Sequence, residues 1–174
     1  MTTSRELLGK FKYLAKRGRG VAPSNDIRRA REWIRELWEI TEELRRYAKV
    51  IEFDKEIKSL MEFNDQLYHA TDAIDWDLRT CEEEGKRLLG ECKTGENEYF
   101  DTIKVMKDLD TLCRKLTGRG CIHRPLEGTR SPEALNAVVS CLNSFIEYFE
   151  DVIEDRKKLI EALDVIKGEE EKVS

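Results

Sequence analysis

The chain has 174 residues, 39% of them charged and 40% hydrophobic, with only three prolines and ten glycines. That composition argues against a disordered polar chain, which lacks the apolar surface to offset its ordering entropy, and the length allows a core that needs no disulfide or metal. The net charge of −5 is split: residues 1–52 carry thirteen Lys and Arg against eight Asp and Glu, and residues 53–174 carry eighteen against twenty-eight. Such polarity suits an anionic partner at one end, or head-to-tail self-association.

Residues 4–16 predict a short basic amphipathic helix. Thr3 and Glu6 fit a capping box. Leu7, Leu8, Phe11, Leu14 and Ala15 share one arc at helical pitch, with Arg5, Lys12 and Lys16 opposite. Residues 17–23, with two glycines and Pro23, read as a flexible linker. The expected organisation is therefore a basic segment and linker over 1–23, a helical bundle over 24–168 and an acidic tail over 169–174.

Ser24 is the expected N-cap of the next helix. From there Ile27, Ala30, Ile34, Leu37, Leu44, Ala48 and Ile51 recur at spacings of three and four, with Thr41 as a polar interruption, which makes a heptad seam. Trp33 and Trp38 flank that seam and fit packing beneath a neighbouring helix. A second seam, Ile57, Leu60, Asn64, Leu67, Thr71, Ile74, Leu78 and Cys81, is out of phase with the first. The slip predicts a turn at residues 52–54 with Asp54 as N-cap; a skip inside one curved helix is the alternative. This helix should fray after Gly85 or stop at Gly90.

A third helix is expected over 97–117, with Tyr99, Phe100, Ile103, Met106, Leu109 and Cys113 on its apolar face. Residues 118–131 form a loop that is long for a helix–helix connection. Ser131, Pro132 and Glu133 restart a helix as N-cap, first helical position and first-turn acid. Its apolar residues form two rows to about residue 167, Leu135, Val138, Leu142, Phe145, Phe149 and Val152 beside Val139, Ile146, Ile153 and Ile160. A stripe that wide suits packing against two neighbours. The fold class is thus an all-α antiparallel bundle of about four long amphipathic helices, near 24–52, 54–92, 97–117 and 131–167, preceded by the short basic helix. The longest two, about 55 Å each by rise per residue, should overhang the third and leave apolar stripe open to a partner helix or a second copy.

The five cysteines, Cys81, Cys92, Cys113, Cys121 and Cys141, are odd in number and lack CxxC spacing, which reads as reduced thiols in a cytoplasmic protein. The first thirty residues have no signal-peptide core, and no window of about twenty apolar residues suits a membrane span. Neither His69 nor His123 completes a Glu-x-x-His pair. Cys113, Cys121, His123 and Cys141 could converge on zinc, although cysteines on apolar faces usually belong to the core. Asp65, Asp72, Asp75, Asp77, Glu82, Glu83 and Glu84 lie on a helix without a calcium-loop pattern and read as a solvated face. No GxSxG motif is present, and the GRG triplets at 18–20 and 118–120 lack phosphate-loop spacing. The expectation is therefore a protein that is not an enzyme, with no metal or other cofactor and no small-molecule substrate.

Glu150, Asp151, Val152, Ile153 and Glu154 resemble the EDVID-type motif of plant immune-receptor coiled-coil domains, with glutamate at the last place. The likeness covers five residues and the rest of the chain follows another layout, so no function is carried from it.

Arg5, Lys10, Lys12, Lys16, Arg17 and Arg19 place six cations in fifteen residues. On a tethered helix they would meet an anionic surface, nucleic-acid phosphates slightly ahead of an anionic membrane. If the apolar arc docks on the bundle instead, the cations are simply solvated. The expected function is a non-enzymatic interaction or assembly protein, structural or adaptor, that binds a protein partner or itself through bundle faces and an anionic surface through its basic segment. The alternatives are a membrane-perturbing bundle acting through Leu7, Leu8 and Phe11, and an enzyme subunit with a site inside the bundle.

Overall fold

A computed structural model describes residues 3–51 and 53–173. Met1, Thr2, Glu52 and Ser174, which belong to the expected N-terminal segment, the turn and the tail, lie outside the described residues. The fold is all-α. Its helices are α1 (Ser4–Gly18), α2 (Val21–Ser24), α3 (Ile27–Ala48), α4 (Lys55–Glu83), α5 (Thr102–Thr117), α6 (Ser131–Asp155) and α7 (Lys157–Val173), with single 3₁₀ turns at Lys49–Ile51 and Leu89–Glu91. Among the described residues β-pairing is limited to two isolated bridges, Asp26 with Leu88 and Lys93 with Arg130.

Four helices, α1, α3, α4 and α6, form a ring in which every neighbour runs antiparallel. Cross-helix pairs give the directions. Lys10 meets Glu43 and Arg17 meets Glu36 between α1 and α3. Arg45 meets Asp65 and Arg31 meets Asp75 between α3 and α4. Phe63 of α4 stacks edge-on against Phe145 of α6, and Lys12 of α1 reaches Glu150 of α6. The ring therefore includes the short basic helix, which the sequence sets apart, and excludes α5, which the sequence counts as a bundle member. Leu7 and Phe11 are as deeply buried as any residue of α6, and Leu14 is nearly so. Phe11 packs edge-on to Phe145 and Phe149, with centroids 4.9 and 6.2 Å away. Each such side chain contributes about 1.5–3 kcal/mol of burial.

Residues 17–23, expected as a flexible linker, form the end of α1, a two-residue turn at Arg19 and Gly20, and the start of α2. Gly18 lets α1 close on its neighbours: a Cβ there would lie 2.8 Å from both Trp33 Cζ2 and Val139 Cγ2. Trp33 is 1% exposed, and its indole N–H donates to the Leu14 carbonyl at 2.9 Å. Ser24 ends α2 rather than capping α3. Asp26 is the cap, accepting from the Arg28 and Arg29 amides. The turn between α3 and α4 falls where the phase slip puts it, and Asp54 caps α4 through the Glu56 and Ile57 amides.

The polar seam positions are buried and tied together. Trp38 donates to Thr71 Oγ1 at 2.8 Å, Thr71 to the Leu67 carbonyl and Asn64 to the Thr41 carbonyl. Two residues of the acidic run are also buried, Asp75 and Asp77, so the run is only partly a solvated face. Asp77 accepts from the Gly95 and Asn97 amides and from the Asn97 side chain. That staple holds residues 93–101 out of the helix expected from 97, and α5 starts at Thr102 behind the cap Asp101.

Helix α5 packs outside the ring against α4 and α6 and runs parallel to α6. Parallel neighbours need a connection that travels back the length of a helix, which explains the long segment 118–130. It returns along α5, with Ile122 N–H donating to Asp110 and Lys107 reaching Glu127. The last predicted helix is two. Arg156 ends α6 and turns its guanidinium to Asp54. Helix α7 then lies over the start of α1 and the end of α3, where Asp164 accepts from the Ser4 amide and hydroxyl and from the Tyr47 hydroxyl. The uncovered stripe expected from overhanging helices is replaced by this cover. The exposed large apolar residues, Tyr13, Val50, Phe53, Leu88, Tyr99, Val165 and Ile166, are scattered over several elements.

The expectation of reduced thiols is overturned. Cys81 is bonded to Cys92 and Cys121 to Cys141, and Cys113 alone is a buried thiol. The odd count hid two pairs because the spacing rule reads neighbours along the chain, whereas α4 and α6 bring distant ones together. The zinc set loses Cys121 and Cys141 by the same bonds. Among the described residues no group of three His, Cys, Asp or Glu side chains could hold a metal, and no helix is long and apolar enough to cross a membrane.

Candidate functional site

The six cations expected to act together sit on the solvent face of α1 but divide into two sets. Arg5, Lys10, Lys12 and Arg17 are paired with Glu154, Glu43, Glu150 and Glu36 at 3.4, 2.9, 2.9 and 2.6 Å. Arg17 also lies over the Tyr13 ring. Exposed pairs of this kind are each worth about 0–1 kcal/mol, yet they neutralise the cations locally. Lys16 and Arg19, at the C-terminal end of α1, have no ion pair among the described residues.

That end is where three chain segments converge. Past α2, the first turn of α3 presents Arg28 and Arg29, both exposed. The connector that leaves α4 is laid beside them by backbone pairing. Ile27 N–H donates to the Arg87 carbonyl at 3.1 Å and Leu89 N–H to the Asn25 carbonyl at 3.2 Å. Asn25 adopts the left-handed conformation, φ 54°, which aims its side-chain oxygen at the Gly90 amide, 2.7 Å away. The Cys81–Cys92 bond closes the connector on α4, and Arg130 at the head of α6 donates to the Gly90 carbonyl at 2.7 Å. Lys16, Arg19, Arg28, Arg29, Arg87 and Lys93 are thereby gathered at one end of the bundle, all exposed and all without an ion pair among the described residues.

Several acids at this end are engaged: Asp26 caps α3, Glu82 is held by Arg31 at 2.7 Å, and Glu83 and Glu84 pair with Arg79 and Lys86; Glu32, Glu91 and Glu133 have no ion pair among the described residues. Burial opposes the charge on Arg31, but its hydrogen bonds to Asp75 and Glu82 outweigh that and raise its pKa, so this guanidinium stays committed inside the end. A cavity of about 710 Å³ opens between α3 and the connector, lined by Asn25, Asp26, Arg28, Lys86, Arg87 and Leu88 among others. The arrangement can do electrostatic work: fixed cations around a concave mouth attract an anion that carries several charges.

The sequence singled out only Lys16 and Arg19 of this set. Arg28 and Arg29 lie within the basic first 52 residues but were not singled out, and Arg87 and Lys93 carry no local signal. They join the site only because the connector pairs with residues 25–27. By fold and site this is an all-α bundle with a basic end. Comparison with family models, curated proteins and solved structures finds no match.

Proposed function

We propose that this is a non-enzymatic interaction protein whose connector end contacts an anionic partner, nucleic acid ahead of membrane. The observation that carries this reading is the collection, on one end of a molecule whose net charge is −5, of six cations that have no ion pair among the described residues. A long-range field of that kind steers a polyanion to one face and is screened by salt. The membrane-perturbing alternative draws on Leu7, Leu8 and Phe11, which are buried at 0%, 5% and 0% exposure and so have no surface to insert. Adaptor or self-assembly contacts through bundle faces are part of the same proposal, with Phe53, Val165 and Ile166 among the exposed apolar side chains available to them.

The cytoplasmic placement loses its cysteine argument. Two disulfides favour an oxidising compartment, although intracellular proteins of hyperthermophiles also form them.

The test measures binding of the intact chain to duplex DNA, RNA and vesicles containing an anionic lipid over a salt series. Binding that weakens linearly in log–log form as salt rises is the expected result. Absence of salt-dependent binding to every one of these probes overturns the reading.

A further inference from the structure

We infer that the cavity between the first turn of α3 and the connector after α4 is a phosphate clamp for duplex nucleic acid, with Arg28 and Arg87 as its jaws. This deepens the reading above and rests on it. Four features carry the argument. The cavity is concave and about 710 Å³ in volume, large enough for a phosphate group with its flanking sugars. Arg28 and Arg87 line it from two different segments, and neither has an ion pair among the described residues. Their separation is set by backbone, since the Ile27 amide donates to the Arg87 carbonyl and the Leu89 amide to the Asn25 carbonyl, while the Cys81–Cys92 bond ties the connector to α4. The wall carries three cations, Arg28, Lys86 and Arg87, against two acids, Asp26, which accepts from amides of α3, and Glu82, which Arg31 holds.

The lining also selects among polyanions. It contains no aromatic side chain, so unstacked bases have no platform, and platforms of that kind are what single strands bind. Guanidinium groups that meet phosphate without touching base edges read backbone rather than sequence. Lasting attachment to a bilayer gains from apolar side chains that enter it, and the rim offers Leu88 alone, 47% exposed. The ligand that fits is the phosphodiester backbone of a duplex, bound without sequence preference.

The experiment compares wild type, the double variant Arg28→Gln with Arg87→Gln, and the control pair Arg5→Gln with Lys12→Gln, on a 20-base-pair duplex, a single strand of equal length and anionic vesicles, at several salt concentrations. All four substituted side chains are exposed, and circular dichroism verifies the fold of each variant. The clamp predicts that the double variant loses about tenfold or more in duplex affinity at low salt and that its salt slope falls by about two, with the control pair near wild type. Wild-type binding that the double variant retains in full overturns the clamp while the basic-end reading stands. Tighter binding to the single strand, or binding to vesicles alone, overturns the duplex assignment. No binding of the wild type to any probe removes the underlying reading itself.

Discussion

Gly18 and Gly9 occupy the same helix and should respond oppositely to a methyl group. At Gly18 the added carbon meets Trp33 and Val139 at 2.8 Å, so Gly18→Ala should lower stability by about 1–3 kcal/mol through overpacking. At Gly9 nothing lies within 4 Å, and Gly9→Ala should raise stability by about 0.5–1 kcal/mol through helix propensity. Thermal melts of the two variants report both signs, and an unchanged melting temperature for Gly18→Ala would mean that α1 is not seated against α3 and α6. Tyr47 gives a pH signature. Burial first, and then its hydrogen bond to Asp164, push its pKa well above the ordinary 10.0. Above that ordinary value the unfolded chain releases the proton while the folded one holds it, so stability falls as pH rises. Denaturant titrations at about pH 8 and about pH 10.5 should show that loss, and Tyr47→Phe should make it shallower. Some slope persists in the variant because burial also raises Tyr68, Tyr148 and the Cys113 thiol.

Among the elements, α1 carries the sharpest consequence. A solvated basic tether could be truncated without cost, whereas Phe11→Ala in a ring helix should cost about 3–5 kcal/mol. Chemical denaturation measures it, and a loss under about 1 kcal/mol would return α1 to the status of an appendage. The cross-links are testable at the same scale. Thiol titration of the unfolded chain without reductant should find one reactive group, Cys113, since the other four are bonded. In the folded chain burial raises the Cys113 pKa, so native alkylation should be slow. Replacing Cys81 and Cys92 together by alanine should destabilise by about 2–4 kcal/mol, because the bond restricts the unfolded chain. It should also loosen the connector that holds Arg87.

At the scale of the whole molecule, several decisions were local and therefore readable. Apolar side chains every three or four positions made the helices, because the backbone turns 3.6 residues per revolution whatever surrounds it. The phase slip after Ile51 placed the α3–α4 turn, and Asp54 capped α4, because caps satisfy amides within their own first turn. The stripe of α6, two rows wide, foretold a helix with two ring neighbours. Other matters depended on which segments meet. Gly18 looks like a breaker in sequence and is a contact glycine in space; only the approach of Trp33 and Val139 distinguishes the two. The pairing of Cys81 with Cys92 and of Cys121 with Cys141, the exclusion of α5 from the ring, and the gathering of Arg28, Arg87 and Lys93 with Lys16 and Arg19 belong to tertiary structure in the same way. Hydrophobic burial is non-directional: the apolar stripes required the helices to pack, while which helix took each place in the ring was settled by close fit and by the connectors between them.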